Sequence, residues 1–182
     1  KTQLKQPIGP TDLIVMENAL KFASAREFDK ILELDMKMNS LKNIKEVREA
    51  SKRSGIQLVR CIREFIKDEI IEEYLRCHQI GMISGAYPVS FGLCANALEI
   101  GSQKAGLMFL YGFIVSVVGA ASRMGIIQHY QAQKIIHELK PLIAQIVSES
   151  IDKSTKEIWQ FAPHLEILQM HHERIDYKMF IT

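Results

Sequence analysis

An all-α fold is what this sequence predicts: a single-domain bundle of about nine or ten helices covering residues 1–182. Three observations predict it. Apolar residues recur with a helical period along almost every stretch of the chain. Turn punctuation is sparse, with 10 Gly and 5 Pro in 182 residues, fewer than a β-sandwich of this length requires. Helix-start signals also recur, in which a capping residue is followed three positions later by Glu. A hydrophobic fraction of 47% against 24% charged excludes a disordered or collagen-like chain. A domain of this size buries roughly 70% of its unfolded surface, enough for one continuous core.

The elements follow in order. Ser24 with Glu27 reads as a capping box ahead of Phe28, Ile31, Leu32 and Leu34. Asn43 with Glu46 repeats the signal, and Ile44, Val47, Ser51, Ile62 and Ile66 fall on one side of a long helix. Gly55 lies inside that helix, where glycine costs about 1 kcal/mol against alanine. A neighbouring helix passing close by is the expected compensation. Asp68 caps the next helix, which carries Ile70, Ile71, Tyr74 and Leu75 and stops near Gly81. Residues 81–90 read as a loop, and Ser90 starts a short helix ending at Gly101. Ser102 starts another that runs to Arg123. A further segment runs from Ile126 to Lys140 and is stopped by Pro141, which suits the first turn of the following helix. Ser154 with Glu157 forms a third capping box. Pro163 opens a last helix, with Leu165, Leu168, His172, Ile175 and Met179 along one stripe.

Residues 105–122 carry no charge. Their glycines and serines, and the lack of an aromatic belt or basic flank, argue against a membrane span. The expectation is a central helix buried all round. Gly112, Ser116 and Ala120 recur every four residues, which predicts a close helix approach in the core or at a dimer interface. A net charge of +2 is too weak to argue for nucleic acid.

Chemistry is thin. There is no Walker A loop, GxSxG elbow or HExxH helix. Cys61, Cys77 and Cys94 are odd in number and form no CxxC pair, so each reads as a buried small hydrophobe in a reducing, cytoplasmic setting. One cluster invites an enzyme reading, an all-α metal-dependent protein using His164, His171 and Glu166. However, His164 and His171 stand two helical turns apart, about 10.5 Å along the axis, too far to share one ion unaided. No resident metal or cofactor is expected.

The C-terminal residues carry a resemblance. Pro163-His164-Leu165-Glu166-Ile167, then Met170-His171-His172-Glu173, then Lys178-Met179-Phe180-Ile181-Thr182 resemble the ending of the urease accessory protein UreF family. That ending reads approximately P-x-x-(D/E)-I-x-x-M-x-H-E-x-x-x-x-R-L-F-x-S, with Lys178 standing where the family has Arg. Glu46, Arg48, Ser51 and Gly55 match the family's E-x-R-x-A-S-x-x-x-G helix. Tyr87, Pro88 and Phe91 match its H-x-P-V-x-F-G-L stretch, with Ala86 at the position of the His. Ala120 to Arg123 also fit. The family's N-terminal F-P-x-G segment is not found, and the chain begins at Lys1, so a fragment of a longer protein is expected.

The resemblance implies a non-enzymatic maturation factor. Such a protein bridges UreD (also called UreH) and the GTPase UreG, and modulates the GTPase while nickel is delivered into apo-urease. It implies a homodimer, and a complex that handles nickel with none firmly held by this chain. It places partner-binding at Pro163, Glu166, Met170, His172, Glu173, Lys178 and Phe180. Structural or positioning roles fall to Glu46, Arg48, Ser51, Gly55, Tyr87, Pro88, Phe91 and Arg123, with Arg48 partly buried and paired.

Overall fold

Ile14, Val15, Met16, Ala19, Leu20 and Ala23 bury every side of one 11-residue helix, and the fold is built around it. The structure, a computed structural model, describes residues 11–42 and 44–158. That central helix is α1 (Ile14–Ser24). Next come α2 (Phe28–Leu41), α3 (Lys45–Arg63), α4 (Glu69–Gln79), α5 (Tyr87–Ala97), α6 (Ser102–Arg123) and α7 (His129–Ser150), then a 3-10 turn at Thr155–Glu157. No strand occurs among the described residues. The all-helical expectation holds, with seven α-helices among the described residues where the sequence predicts nine or ten.

Part of that difference lies at Pro141. A proline inside a helix removes one backbone donor and crowds the carbonyl four residues earlier. Yet α7 runs through it from His129 to Ser150. Pro141 and His137 are both exposed, so the carbonyl deprived of its donor lies on the water-facing side of α7. Ser154 and Glu157 do form their reciprocal cap, with the Ser154 N–H donating to Glu157 at 2.7 Å, but only three residues of 3-10 turn follow. The helix expected from Pro163 lies outside the described residues.

The other caps are mixed. Asp68 accepts the Ile71 N–H at 2.9 Å and opens α4 as expected. Ser24 instead ends α1, and the Glu27 carboxylate pairs with Lys30 at 2.7 Å, so no capping box forms there. Ile44 holds the capping position before α3 without a side-chain bond, and Asn43 lies outside the described residues. A reciprocal cap at Gln128 and Gln131 starts α7.

Two apolar clusters meet at α1. Val15, Ala19 and Ala23 face a cluster with α2, α3, α4 and α5. Leu13, Met16 and Leu20 face a second, with α6 and α7. α1 and α5 lie side by side as the inner layer, because Gly92 lets the α1 backbone pass: a Cβ at Gly92 would collide with the Met16 carbonyl and sit 2.9 Å from the Ala19 Cβ.

The central buried element is therefore α1 with α5, and the expectation that the uncharged helix is buried all round is overturned. α6 buries Ala105, Gly106, Phe109, Leu110, Ile114 and Val118 along one stripe. Its opposite face exposes Leu107, Met108, Tyr111, Val115 and Val117, by 36% to 50% each. The absence of charge was a sign of apolarity on both faces, and among the described residues only one of them is buried. α6 alone among the described helices is long and apolar enough to cross a membrane, and 33% of that stretch is buried. A Cβ on Gly112 would meet nothing within 4 Å, and Ser116 folds back onto the Gly112 carbonyl at 2.9 Å. Gly112→Ala is therefore expected to raise the melting temperature, since it removes a helix penalty of about 1 kcal/mol. The gain should appear in full where the chain is monomeric; a fall in the dimer would place the second copy directly against Gly112.

Candidate functional site

The two internal stretches that carry the family resemblance pack directly on each other. In α3, Ser51 and Gly55 share the face turned to α5. The Ser51 hydroxyl accepts the Tyr87 N–H at 3.1 Å, one of the donors that a helix start leaves without an internal partner. Gly55 lies beneath the same turn. A Cβ there would collide with the Gly85 carbonyl oxygen and stand 2.8 Å from the Ser90 hydroxyl and 3.0 Å from the Tyr87 Cα. The close approach expected from a helical glycine is present, made by the entry into α5. Pro88 occupies the first turn of α5, where its missing N–H leaves no bond unmade. Helix α5 accordingly begins at Tyr87, three residues before the start predicted at Ser90.

Tyr87 and Phe91 project from this entry toward α6. Their rings form a trio with Phe109, with centroids 5.7 Å apart for Tyr87–Phe109 and 5.2 Å for Phe91–Phe109. Edge-to-face and offset pairs of this kind add about 0.5–1.5 kcal/mol beyond area burial. The trio is the seam through which α5 reaches the second cluster.

The loop itself is held by a residue that sequence reasoning missed. Asp35, on α2, is fully buried. Its carboxylate accepts the Tyr74 hydroxyl at 2.7 Å, the Ser84 N–H and hydroxyl at 2.7 Å each, the Gly85 N–H at 3.1 Å and the Ala86 N–H at 2.8 Å. Three successive backbone amides converging on one anion make a nest, and Gly85 supplies the left-handed residue it needs, at φ +82°. Burial, and next the Asp35 charge, push the Tyr74 phenol well above its usual range, so it remains a donor. In sequence, Asp35 is an acid on a mixed-charge helix, and its partners are mostly main chain, which carries no residue signature. The Gly-rich loop at 81–90 was the one available hint.

The remaining expected residues are dispersed. Arg48 is 30% exposed and donates to the Lys42 carbonyl at 2.9 Å, with Glu49 at 3.9 Å. That is the partly buried, paired position expected of it. Glu46 is half-buried at the start of α3, and Arg123 is exposed at the end of α6, its guanidinium 3.4 Å from where a Cβ on Gly119 would lie. Cys77 and Cys94 are buried as expected, but Cys61 is exposed, which corrects its reading as a core residue. Burial pushes the Cys94 thiol up to about 12, so it stays protonated and is no nucleophile. Pro163, His164, Glu166, Met170, His171, His172, Glu173, Lys178 and Phe180 lie outside the described residues. Among the described residues no three His, Cys, Asp or Glu side chains are placed to hold a metal ion.

The junction thus spends its polar groups on the backbone. Five donors converge on Asp35, four of them from the loop that leads into α5. The two matched stretches thus brace one another at the α3–α5 junction.

Comparison with known proteins agrees and is more specific. The chain belongs to the UreF family, whose model matches residues 1–140. It is 26% identical over 177 residues to the urease accessory protein UreF of Trichodesmium erythraeum, covering 97% of this chain and 76% of that protein. It is 27% identical over 172 residues to urease accessory protein UreF 1 of Brucella melitensis, covering 94% and 71%. It is 28% identical over 174 residues to the UreF of Ureaplasma urealyticum, covering 94% and 74%. The family places the chain among accessory proteins and not among enzymes.

Proposed function

We propose that this protein is a cytoplasmic maturation factor that bridges UreD (UreH) and the GTPase UreG, modulating GTP hydrolysis while nickel passes into apo-urease. Membership in the UreF family carries this reading. Nickel is the cargo of the assembled complex. The braced α3–α5 junction supports a scaffold role, with Glu46, Arg48, Ser51, Gly55, Tyr87, Pro88 and Phe91 positioning the helices.

The apolar face of α6 supports the homodimer. A contiguous exposed apolar face is a signature of an interface. A second copy is the occupant we favour, because residues 105–122 offer no charge to select a polar partner. Partner docking falls to the C-terminal segment, with Phe180 as apolar anchor and Lys178 as rim cation. A few such anchors dominate an interface, at about 2 kcal/mol or more each.

Deleting residues 174–182 is expected to leave a folded, soluble dimer that no longer binds UreD and leaves urease without nickel in cells. Circular dichroism, size-exclusion mass and a UreD pull-down on one sample check this. A truncated protein that still captures UreD, or one that fails to fold, would overturn the docking role.

A further inference from the structure

α1 is buried on all sides, yet it carries Glu17 at 1% exposure and Asn18 at 6%. Both direct polar atoms at one target, the turn that follows α7. Glu17 Oε1 accepts the Asp152 N–H at 3.2 Å, and the Asn18 amide donates to the Lys153 carbonyl at 2.9 Å. Lys21, one turn further along, donates to Glu17 Oε1 at 3.0 Å and to the Asp152 carboxylate at 2.9 Å. From α2, Lys37 donates to the Thr155 carbonyl at 2.7 Å. Two helices therefore grip three positions of the turn, Asp152, Lys153 and Thr155.

Beyond this grip, Ile151 and Ile158 pack half-buried against the two clusters at either end, and the residues between are held by short-range bonds such as the Ser154–Glu157 cap. None of residues 151–158 is fully buried. Asp152 sits in the left-handed region at φ +72°, which Asp tolerates better than most side-chain-bearing residues and which turns the chain at this point. The grip is also incomplete, because Glu17 Oε2 is buried without a partner. A dry, unpaired carboxylate oxygen is costly, and an apolar residue would serve the α1 core better. Opening the turn returns that oxygen to water, so closure works against a penalty built into α1. A contact made mainly of side-chain-to-backbone bonds with little apolar burial is the kind of unit that opens locally while the core stays folded.

We propose that Glu17, Asn18, Lys21 and Lys37 form a polar latch that opens as a unit and holds the turn at residues 152–155 against α1 and α2. For its consequence on partner binding, the latch rests on the reading that the C-terminal segment docks onto UreD. Its partially satisfied construction lets it release the base of that segment without unfolding α1 or α5.

Hydrogen exchange on the full chain tests the latch, with Lys21→Met, Asn18→Leu and Lys21→Arg as variants. In the wild type, amides of residues 151–157 should exchange faster than those of α1 and α5. Lys21→Met and Asn18→Leu should each speed exchange at 151–157 about tenfold while leaving α5 and α6 unchanged. Lys21→Arg, which keeps the charge, should restore protection. Unchanged exchange in both disrupting variants, or exchange of the turn only in step with the core, would overturn the latch. The partner half is read separately: Lys21→Met should change UreD affinity by at least about threefold, a shift of under 1 kcal/mol. Faster exchange with unchanged affinity would overturn the coupling. The 174–182 deletion is the control. If it too leaves UreD binding intact, the docking reading has failed, and the exchange data still judge the latch.

Discussion

Alanine at position 35 is expected to lower the free energy of unfolding by about 3–5 kcal/mol, the scale seen when one side of a buried charged network is removed. The substitution deletes the acceptor for five donors and leaves them dry: the Tyr74 hydroxyl, both Ser84 groups, and the Gly85 and Ala86 amides. Each buried donor left unpaired costs about 1–3 kcal/mol, although relaxation and water entry recover part of the sum. Asp35→Asn should rank between the two, because its amide keeps one acceptor oxygen but turns donors toward donors. Urea unfolding of the three proteins checks the order. A loss below about 1 kcal/mol for the alanine variant would mean that the nest is wet, and that its bonds exchange with solvent at little net cost.

The second large effect is at Gly55, and it turns a propensity argument on its head. Gly→Ala in a helix normally gains about 1 kcal/mol, as expected at Gly112, which has open space around it. At Gly55 the added carbon would meet the Gly85 carbonyl, a backbone atom that cannot rotate aside. Overpacking of this kind costs about 1–3 kcal/mol and occasionally more. Gly55→Val is placed at about 3 kcal/mol or above, because its branches also press on Ser90 and Tyr87. Gly55→Ala and Gly112→Ala should therefore move the melting temperature in opposite directions. If both raised it, the close α3–α5 approach would not exist in solution.

Gly55 also shows what the sequence made legible. A glycine in the middle of a strong helical pattern requires a neighbour, and the neighbour is there. Asp68 and the Ser154–Glu157 cap were legible because capping chemistry is local. Ser24–Glu27 has the same letters and fails, since capping residues mark only a possible start, and Lys30 captures the Glu27 carboxylate. The face of α6 was misread because composition reports apolarity and not what covers it. Pro141 was misread because the rule that proline ends helices fails where the freed carbonyl is solvated. Asp35 left no trace, since a carboxylate bound by main-chain amides looks in sequence like any surface acid.

The nest around Asp35 has a consequence for the order of events as the chain folds. Its bonds to the loop join residues 49 to 51 apart, whereas α6 and α7 are joined by residues 124–128 alone. Closing the longer loop costs about 2 kcal/mol more in chain entropy, by the logarithmic dependence on length. The α6–α7 hairpin is thus expected to form early and the nest late, after the main barrier. Stopped-flow chevrons would then show Asp35→Ala speeding the escape from the native state while barely slowing its formation. The lifetime of the folded molecule would be written at Asp35, and the speed of reaching it at the other end of the chain.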